Sequence, residues 1–306
     1  MFRKLVLAGF TMLLMCCSSV KYMGYFCDAT FSPPQEKTMV MEDGYASTYF
    51  SIQKGKGKPD KVIFFISGSG YNSIKYYLKH YFSTLKGNYK IYALQKRYIS
   101  SWTTEIFRKP SKQFNEHNYF DVWVTNQNYF INKILSDERN IYEKMILFGV
   151  SEGGTTAAKI ATINNKISNL VIVGSGGIKF EEELRILIRN LGYDVNLDTI
   201  YTDIKANPDH IDKVFYGHPY KYWNSVLFID PMEFYNKITV PILVAQGAHD
   251  KSTPIETGRF LRDEFNKQGK THLTFMEYKG ADHTLKSANG KEGLNDFFEK
   301  MNEWLD

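Results

Sequence analysis

The residues Gly149-Val150-Ser151-Glu152-Gly153 set a hydroxyl between glycines, after an apolar run at Lys144–Phe148 and before an alanine-rich helical pattern at Gly153–Ile163. The pattern is G-x-S-x-G, in which a serine sits on a sharp turn from strand to helix. Glycines flank such a serine because neighbouring backbone comes too close for side chains. The turn lifts the Ser151 oxygen clear of a sheet and places it at a helix N-terminus, where backbone N–H groups can stabilise a developing oxyanion. The chemistry this suits is nucleophilic attack on a carbonyl. A serine doing so needs a base to take its proton, and the base needs an acid to orient it. The competing reading is a serine that only caps the helix, with glycines that serve packing.

The elements that must position this serine follow from periodicity. Thr38–Met41 and Tyr45–Gln53 flank Asp43-Gly44 and read as a hairpin. Lys61–Ile66 (KVIFFI) is a continuous apolar run, as expected of a strand buried on both faces. Ser73–Leu85 reads as a helix, Tyr89–Leu94 as a strand and Tyr119–Leu135 as a helix. Leu170–Val173 and Pro241–Gln246 follow as strands, then Glu256–Lys267 as a helix, Thr271–Tyr278 as a strand and Glu292–Trp304 as a final helix. Strands alternating with helices imply an α/β fold with a mostly parallel sheet flanked by helices. Residues 178–236 break the alternation and are too long for a bare connection, so they read as an inserted cap.

The elbow, the strand–helix alternation and two late loops resemble the α/β-hydrolase family, over roughly residues 38–177 and 237–306. In that family the acid follows a late strand and the histidine follows the last one. The resemblance therefore assigns the acid to Asp250, in Gly247-Ala248-His249-Asp250 after PILVAQ, and the base to His283, in Gly280-Ala281-Asp282-His283-Thr284. Asp250 as a mere helix cap and Asp282 as a rival acid are the alternatives. The other histidines fall on early helices (His80, His117), in the cap (His210, His218), at a strand start (His272) or beside the acid (His249). The loop Ser67-Gly68-Ser69-Gly70 after KVIFFI resembles the family's H-G-x-G loop, with Ser67 in place of histidine. It implies backbone N–H donors at Ser69 and Glu152. The chain departs from the family's Asp-x-Arg-Gly turn, showing Gln95-Lys96-Arg97-Tyr98 instead. The resemblance implies a serine hydrolase acting on an acyl bond, a carboxylic ester first. Serine aminopeptidase, acyl transfer and a non-catalytic binding role share the scaffold.

Trp102 and Phe107, with Tyr193, Tyr201, Phe215, Tyr216, Tyr220, Tyr222 and Trp223, are expected either to rim the pocket or to form the cap's own core. The partner expected is a small-molecule or peptidic acyl substrate, and no cofactor or metal is implied. At 306 residues and 43% hydrophobic content the chain can bury a sizeable core. Its net charge of +5 is mild, and the short basic clusters at Lys54–Lys61 and Arg108–Lys112 read as solvated loops rather than a nucleic-acid surface.

The N-terminus reads as a targeting segment. Arg3 and Lys4 precede an apolar stretch, Leu5–Met15, which is short for a spanning helix. Cys16, Cys17, Ser18 and Ser19 follow and resemble a bacterial lipoprotein signal. That resemblance implies lipidation of Cys17, or of Cys16, and export to the cell envelope. Residues 1–17 are then signal and residues 18–37 a linker. Cys27, the third cysteine, falls in the linker, so no disulfide framework is expected.

Overall fold

In the computed structural model the residues described are 29–105, 108–137, 142–287 and 292–306. The signal segment, Cys16, Cys17, Cys27 and Phe107 lie outside them. An eight-stranded sheet organises the chain in the order β1-β2-β4-β3-β5-β6-β9-β10. Its strands are β1 Gln35–Val40, β2 Ala46–Lys54, β3 Lys61–Ile66, β4 Tyr89–Leu94, β5 Lys144–Val150 and β6 Asn169–Val173, then β9 Ile242–Gly247 and β10 Leu273–Tyr278. The pairs β1–β2 and β2–β4 are antiparallel, and every pair from β4 through β3, β5, β6 and β9 to β10 is parallel.

Period-two alternation splits the central strands between two cores. Val62, Phe64, Leu147, Ile172 and Val244 point to one face. There they meet α3 (Phe120–Asp137), α4 (Glu152–Ala161) and α9 (Ile255–Lys267), through residues such as Phe130, Ile160 and Leu261. Ile63, Phe65, Phe148, Val171 and Leu243 point to the other, against α1 (Leu78–Tyr81) and α10 (Glu292–Leu305). Both faces are covered, which is why KVIFFI reads as an unbroken apolar run.

Between β6 and β9 the chain makes a mainly helical excursion. It contains α5 (Phe180–Asn190), α6 (Leu197–Ala206), a small hairpin of β7 (Val214–Phe215) and β8 (His218–Pro219), α7 (Tyr220–Val226) and α8 (Met232–Tyr235). Tyr201, Tyr222 and Trp223 are buried in the same cluster as Phe64 and Leu147, whereas Tyr193 and Tyr216 are exposed. Most of the excursion's large side chains thus extend the core.

Two expectations shift. The first strand begins at Gln35, inside the stretch read as linker, because Gln35 pairs with Ser51 and accepts its hydroxyl at 3.2 Å. The segment Ser73–Leu85 is not one helix. A 3-10 turn at Ile74–Tyr76 is capped by Ser73, and the Gln95 side chain takes the Ile74 N–H at 2.8 Å. Tyr77, at φ −121°, then separates that turn from α1. Residues 112–117 of the stretch after β4 form a short helix, α2 (Lys112–His117). No helix among the described residues is long and apolar enough to cross a membrane.

Phe148 is fully buried, and its ring meets Phe65, Tyr81, Phe82, Phe297 and Phe298 at centroid distances of 5.4–6.3 Å. Phe148→Ala should lower the unfolding free energy by about 3–5 kcal/mol. A shift of the urea midpoint at unchanged slope would register it.

Candidate active site

Ser151 occupies the turn between β5 and α4 with φ 57° and ψ −126°, a conformation an L-residue rarely adopts. Its side chain makes no cap hydrogen bond to α4. The capping serine, the competing explanation of the motif, is therefore not what is found. The glycines are explained by space. A Cβ on Gly149 would lie 2.2 Å from the Gly153 carbonyl oxygen, and one on Gly153 would lie 2.2 Å from that of Ile66. The start of α4 is pressed against β5 and β3. A Cβ on Gly68 would fall 3.0 Å from the Ser151 Cβ, so the loop after β3 packs directly against the elbow at Gly68.

His283 lies in the turn after β10. Its Nδ1 is 2.7 Å from Asp250 Oδ2, and the Asp250 side chain is fully buried. The other oxygen of Asp250 accepts the N–H groups of Ser252 at 2.7 Å and Thr253 at 2.9 Å. Asp250 does not cap α9, whose first turn is preceded by Pro254. Asp282 is occupied elsewhere: one oxygen accepts the Thr284 and Lys286 N–H groups and the Thr284 hydroxyl.

The end of β6 draws the parts together. The Ser151 N–H donates to the Val173 carbonyl at 2.9 Å. On the next residue, Gly174, a Cβ would lie 2.9 Å from His283 Cε1 and 3.0 Å from Nδ1. Consecutive residues thus hold the serine turn and the imidazole ring. With Nδ1 directed to Asp250, Nε2 is the nitrogen left for other work.

The remaining histidines are placed differently. His117 Nδ1 sits at the Gln113 carbonyl, His210 Nδ1 accepts from Asp212 and Lys213, and His272 Nε2 sits at the Ile238 carbonyl. His249 is exposed. His218 stacks on Tyr222 with centroids 4.2 Å apart, and burial pushes its pKa down to about 4 against the pull of Glu152.

No family model matches the chain. A 2-hydroxy-6-oxo-6-(2'-aminophenyl)hexa-2,4-dienoic acid hydrolase of Metapseudomonas resinovorans is 31% identical over 147 residues, 40% of this chain and 49% of that protein. The chain spans about half the length of that curated relative. Solved structures match over nearly all of it. An esterase of Pyrococcus furiosus superposes with TM-score 0.62 at 14% identity, over 91% of this chain and 92% of its own. Est1E of Butyrivibrio proteoclasticus gives 0.57 at 15% identity, over 88% and 97%. The acylaminoacyl peptidase of Pyrococcus horikoshii gives 0.58 at 14% identity, over 89% of this chain and 41% of its own. The chain has the α/β-hydrolase fold.

Within that fold, Ser151, Asp250 and His283 follow β5, β9 and β10, at the carboxyl ends of parallel strands. Where the resemblance expects a histidine before the oxyanion loop, Ser67 is buried and hydrogen-bonds Tyr77. Where it expects Asp-x-Arg-Gly, Lys96 turns inward and pairs with Glu152 at 2.8 Å. Sequence reasoning did not single out three residues that shape the site. Gly174 shows no signal beyond its place after a strand. Lys96 is visible only as a departure. Glu183 sits in an amphipathic helical stretch and looks like any solvated acid.

Glu183 is buried on α5, and its carboxyl titrates at about 8. Burial is the largest cause and the charge of Asp250 the next, while a hydrogen bond with Thr257 opposes both. A carboxyl whose pKa is raised in the folded state stays protonated there while the unfolded chain ionises. Its favourable balance is complete below the ordinary glutamate range and is lost as pH rises from about 4.5 toward about 8. Glu183→Gln keeps the neutral shape. It should match wild type near pH 4.5 and gain on it steadily up to pH 8, by up to a few kcal/mol. Urea midpoints of both proteins across that range test this, and parallel pH curves would contradict it.

Proposed function

We propose that the chain is a serine hydrolase that cleaves an acyl bond, most simply a carboxylic ester, through an acyl-enzyme on Ser151. The observation that carries this reading is the Asp250–His283 pair at 2.7 Å, its ring seated on Gly174 next to the residue that holds the Ser151 turn. In the proposed reaction His283 Nε2 takes the Ser151 proton as the hydroxyl attacks the carbonyl carbon. Asp250 keeps the imidazole oriented and stabilises its charged form. The N–H groups of Ser69 and Glu152 receive the tetrahedral oxyanion. His283 then protonates the leaving group, and the acyl-enzyme remains. Water, deprotonated by His283, attacks it and releases the acid. Peptide hydrolysis of the aminopeptidase kind and acyl transfer would use the same residues. The fold neighbours include both esterases and a peptidase, and a fold does not choose among chemistries.

A fluorophosphonate should add one label to the wild-type protein, mapped by mass to Ser151 and absent in Ser151→Ala and His283→Ala. On p-nitrophenyl esters, Ser151→Ala should lower kcat about 10⁴- to 10⁶-fold and Asp250→Asn about 10⁴-fold. A panel of esters, aminoacyl amides and a conjugated keto acid of the curated relative's kind then ranks the substrate classes. A folded wild-type protein that takes no label would leave a binding role on a hydrolase scaffold.

We further propose that Cys17, or Cys16, carries a lipid that anchors the exported domain in the cell envelope; the support is the apolar stretch Leu5–Met15 followed by the two cysteines. In fractionation without detergent, Cys17→Ala should be released into the soluble fraction while wild type stays with the membrane. Membrane retention of a Cys16→Ala, Cys17→Ala double variant would remove the anchor.

A further inference from the structure

Glu152 is an unexpected neighbour for a developing oxyanion. It is the residue that follows the serine, and its own N–H is one of the two donors on which the hydrolase reading rests. Its carboxylate cannot lie farther than about 6 Å from that N–H, because five bonds join them. The side chain is buried at 3% exposure, so water does not screen it. An isolated negative charge there would oppose the charge that forms on the substrate oxygen.

The chain places one cation on this carboxylate. Lys96 Nζ is 2.8 Å from Glu152 Oε2, and the lysine is itself buried at 4% exposure. The Trp123 ring on α3 lies 5.5 Å from the ammonium. From the excursion, Tyr222 on α7 and His218 on β8 come near enough to feel the charge of Glu152. Tyr222 also hydrogen-bonds Ser69, the other donor residue. His218 is held neutral by its burial and supplies no balancing charge at neutral pH. Lys96 comes from the Gln95-Lys96-Arg97-Tyr98 turn, where this chain leaves the family's Asp-x-Arg-Gly pattern.

We propose that Lys96 is a positioning residue for the oxyanion site: it neutralises and orients the Glu152 side chain, so that the Glu152 N–H can receive negative charge without repulsion from its own carboxylate. The inference rests on the serine-hydrolase reading and adds to it a cation acting through Glu152. The pair is asymmetric. Loss of the lysine leaves an uncompensated buried carboxylate beside the oxyanion. Loss of the carboxylate leaves a cation, which does not oppose it. A pair that served only to tie the turn after β4 to α4 would be symmetric, since either truncation would break the same contact.

The experiment compares Lys96→Met, Glu152→Gln and the double variant on p-nitrophenyl acetate and butyrate, with urea stability measured alongside. A unit charge some 8 Å from the oxyanion at an effective dielectric constant of about 20 changes a rate by roughly tenfold to a hundredfold. Lys96→Met should therefore lose about that factor in kcat with KM nearly unchanged. Glu152→Gln should lose clearly less kcat than Lys96→Met, and the double variant should recover most of the kcat that Lys96→Met lost. If Lys96→Met does not fold, Lys96→Gln keeps a hydrogen-bond donor without the charge and gives the same comparison. The proposal is overturned if the two single variants lose kcat equally, or if the double variant is as slow as the lysine variant. A wild-type protein that takes the Ser151 label while its kcat ignores Lys96 overturns this inference alone. A wild type that takes no label removes the reading beneath it.

Discussion

Everything at the site depends on how closely α4 is pressed to the sheet. Backbone atoms of Gly149, Gly153 and Ile66 approach so tightly that one methyl group on either glycine would collide with a carbonyl. That closeness forces Ser151 into a positive-φ turn, a conformation that costs on the order of 1–3 kcal/mol. It persists because the elements on both sides are over-determined. β5 pairs with β3 and β6 along its length, in a register that sets Gly149 beside Ile66 and Ile172. Phe148, just before the turn, is locked in an aromatic cluster on the face opposite α4. The cores thus supply the rigidity that a strained turn requires.

The same tight packing buries three carboxyl side chains around the site, and each is handled differently. Asp250 has its lone pairs taken by two backbone N–H groups and an imidazole. Glu152 is matched by a buried lysine. Glu183 keeps its proton, raised by burial and by the nearness of Asp250. A protonated Glu183 adds no second negative charge beside Asp250. Hydrogen bonding, ion pairing and protonation are the ways a buried carboxyl avoids the cost of an isolated charge, and all three occur within one small region.

Much of this was legible in the chain. Residues 61–66 announce a strand covered on both faces, and the glycine spacing around Ser151 announces a turn with no room for side chains. Asp250 and His283 were reached through the family's order of elements, which turns sequence position into place along the sheet. What was not legible depends on long-range contact. Gly174 gives room to a ring from a loop beyond β10, and nothing in its local sequence marks that. Lys96 and Glu152 meet across 56 residues, so each alone reads as a surface charge. Residues 73–85 have the composition of a helix, but the Gln95 side chain claims a backbone N–H at its start, and the segment breaks into two short turns. Gln35 joins the sheet because β2 offers it an edge, although the prolines before it suggest a linker.

The excursion between β6 and β9 is bound into this arrangement rather than laid over it. Tyr222, Trp223 and Val226 are buried in the cluster that also holds Phe64 and Leu147 of the sheet. Exposing each such side chain would cost roughly 1.5–3 kcal/mol, so lifting the whole insertion would sacrifice a large part of the stability of a domain this size. The hairpin of β7 and β8 is different. Val214 and Tyr216 are exposed, and Tyr216 holds a positive φ of 42° next to Gly217. Low-cost movement is therefore expected at the hairpin tip rather than at Tyr222, which is buried in the core. The part of the excursion that packs on the sheet is core. The excursion's outer edge, at Val214 and Tyr216, is where side chains have little apolar contact to lose.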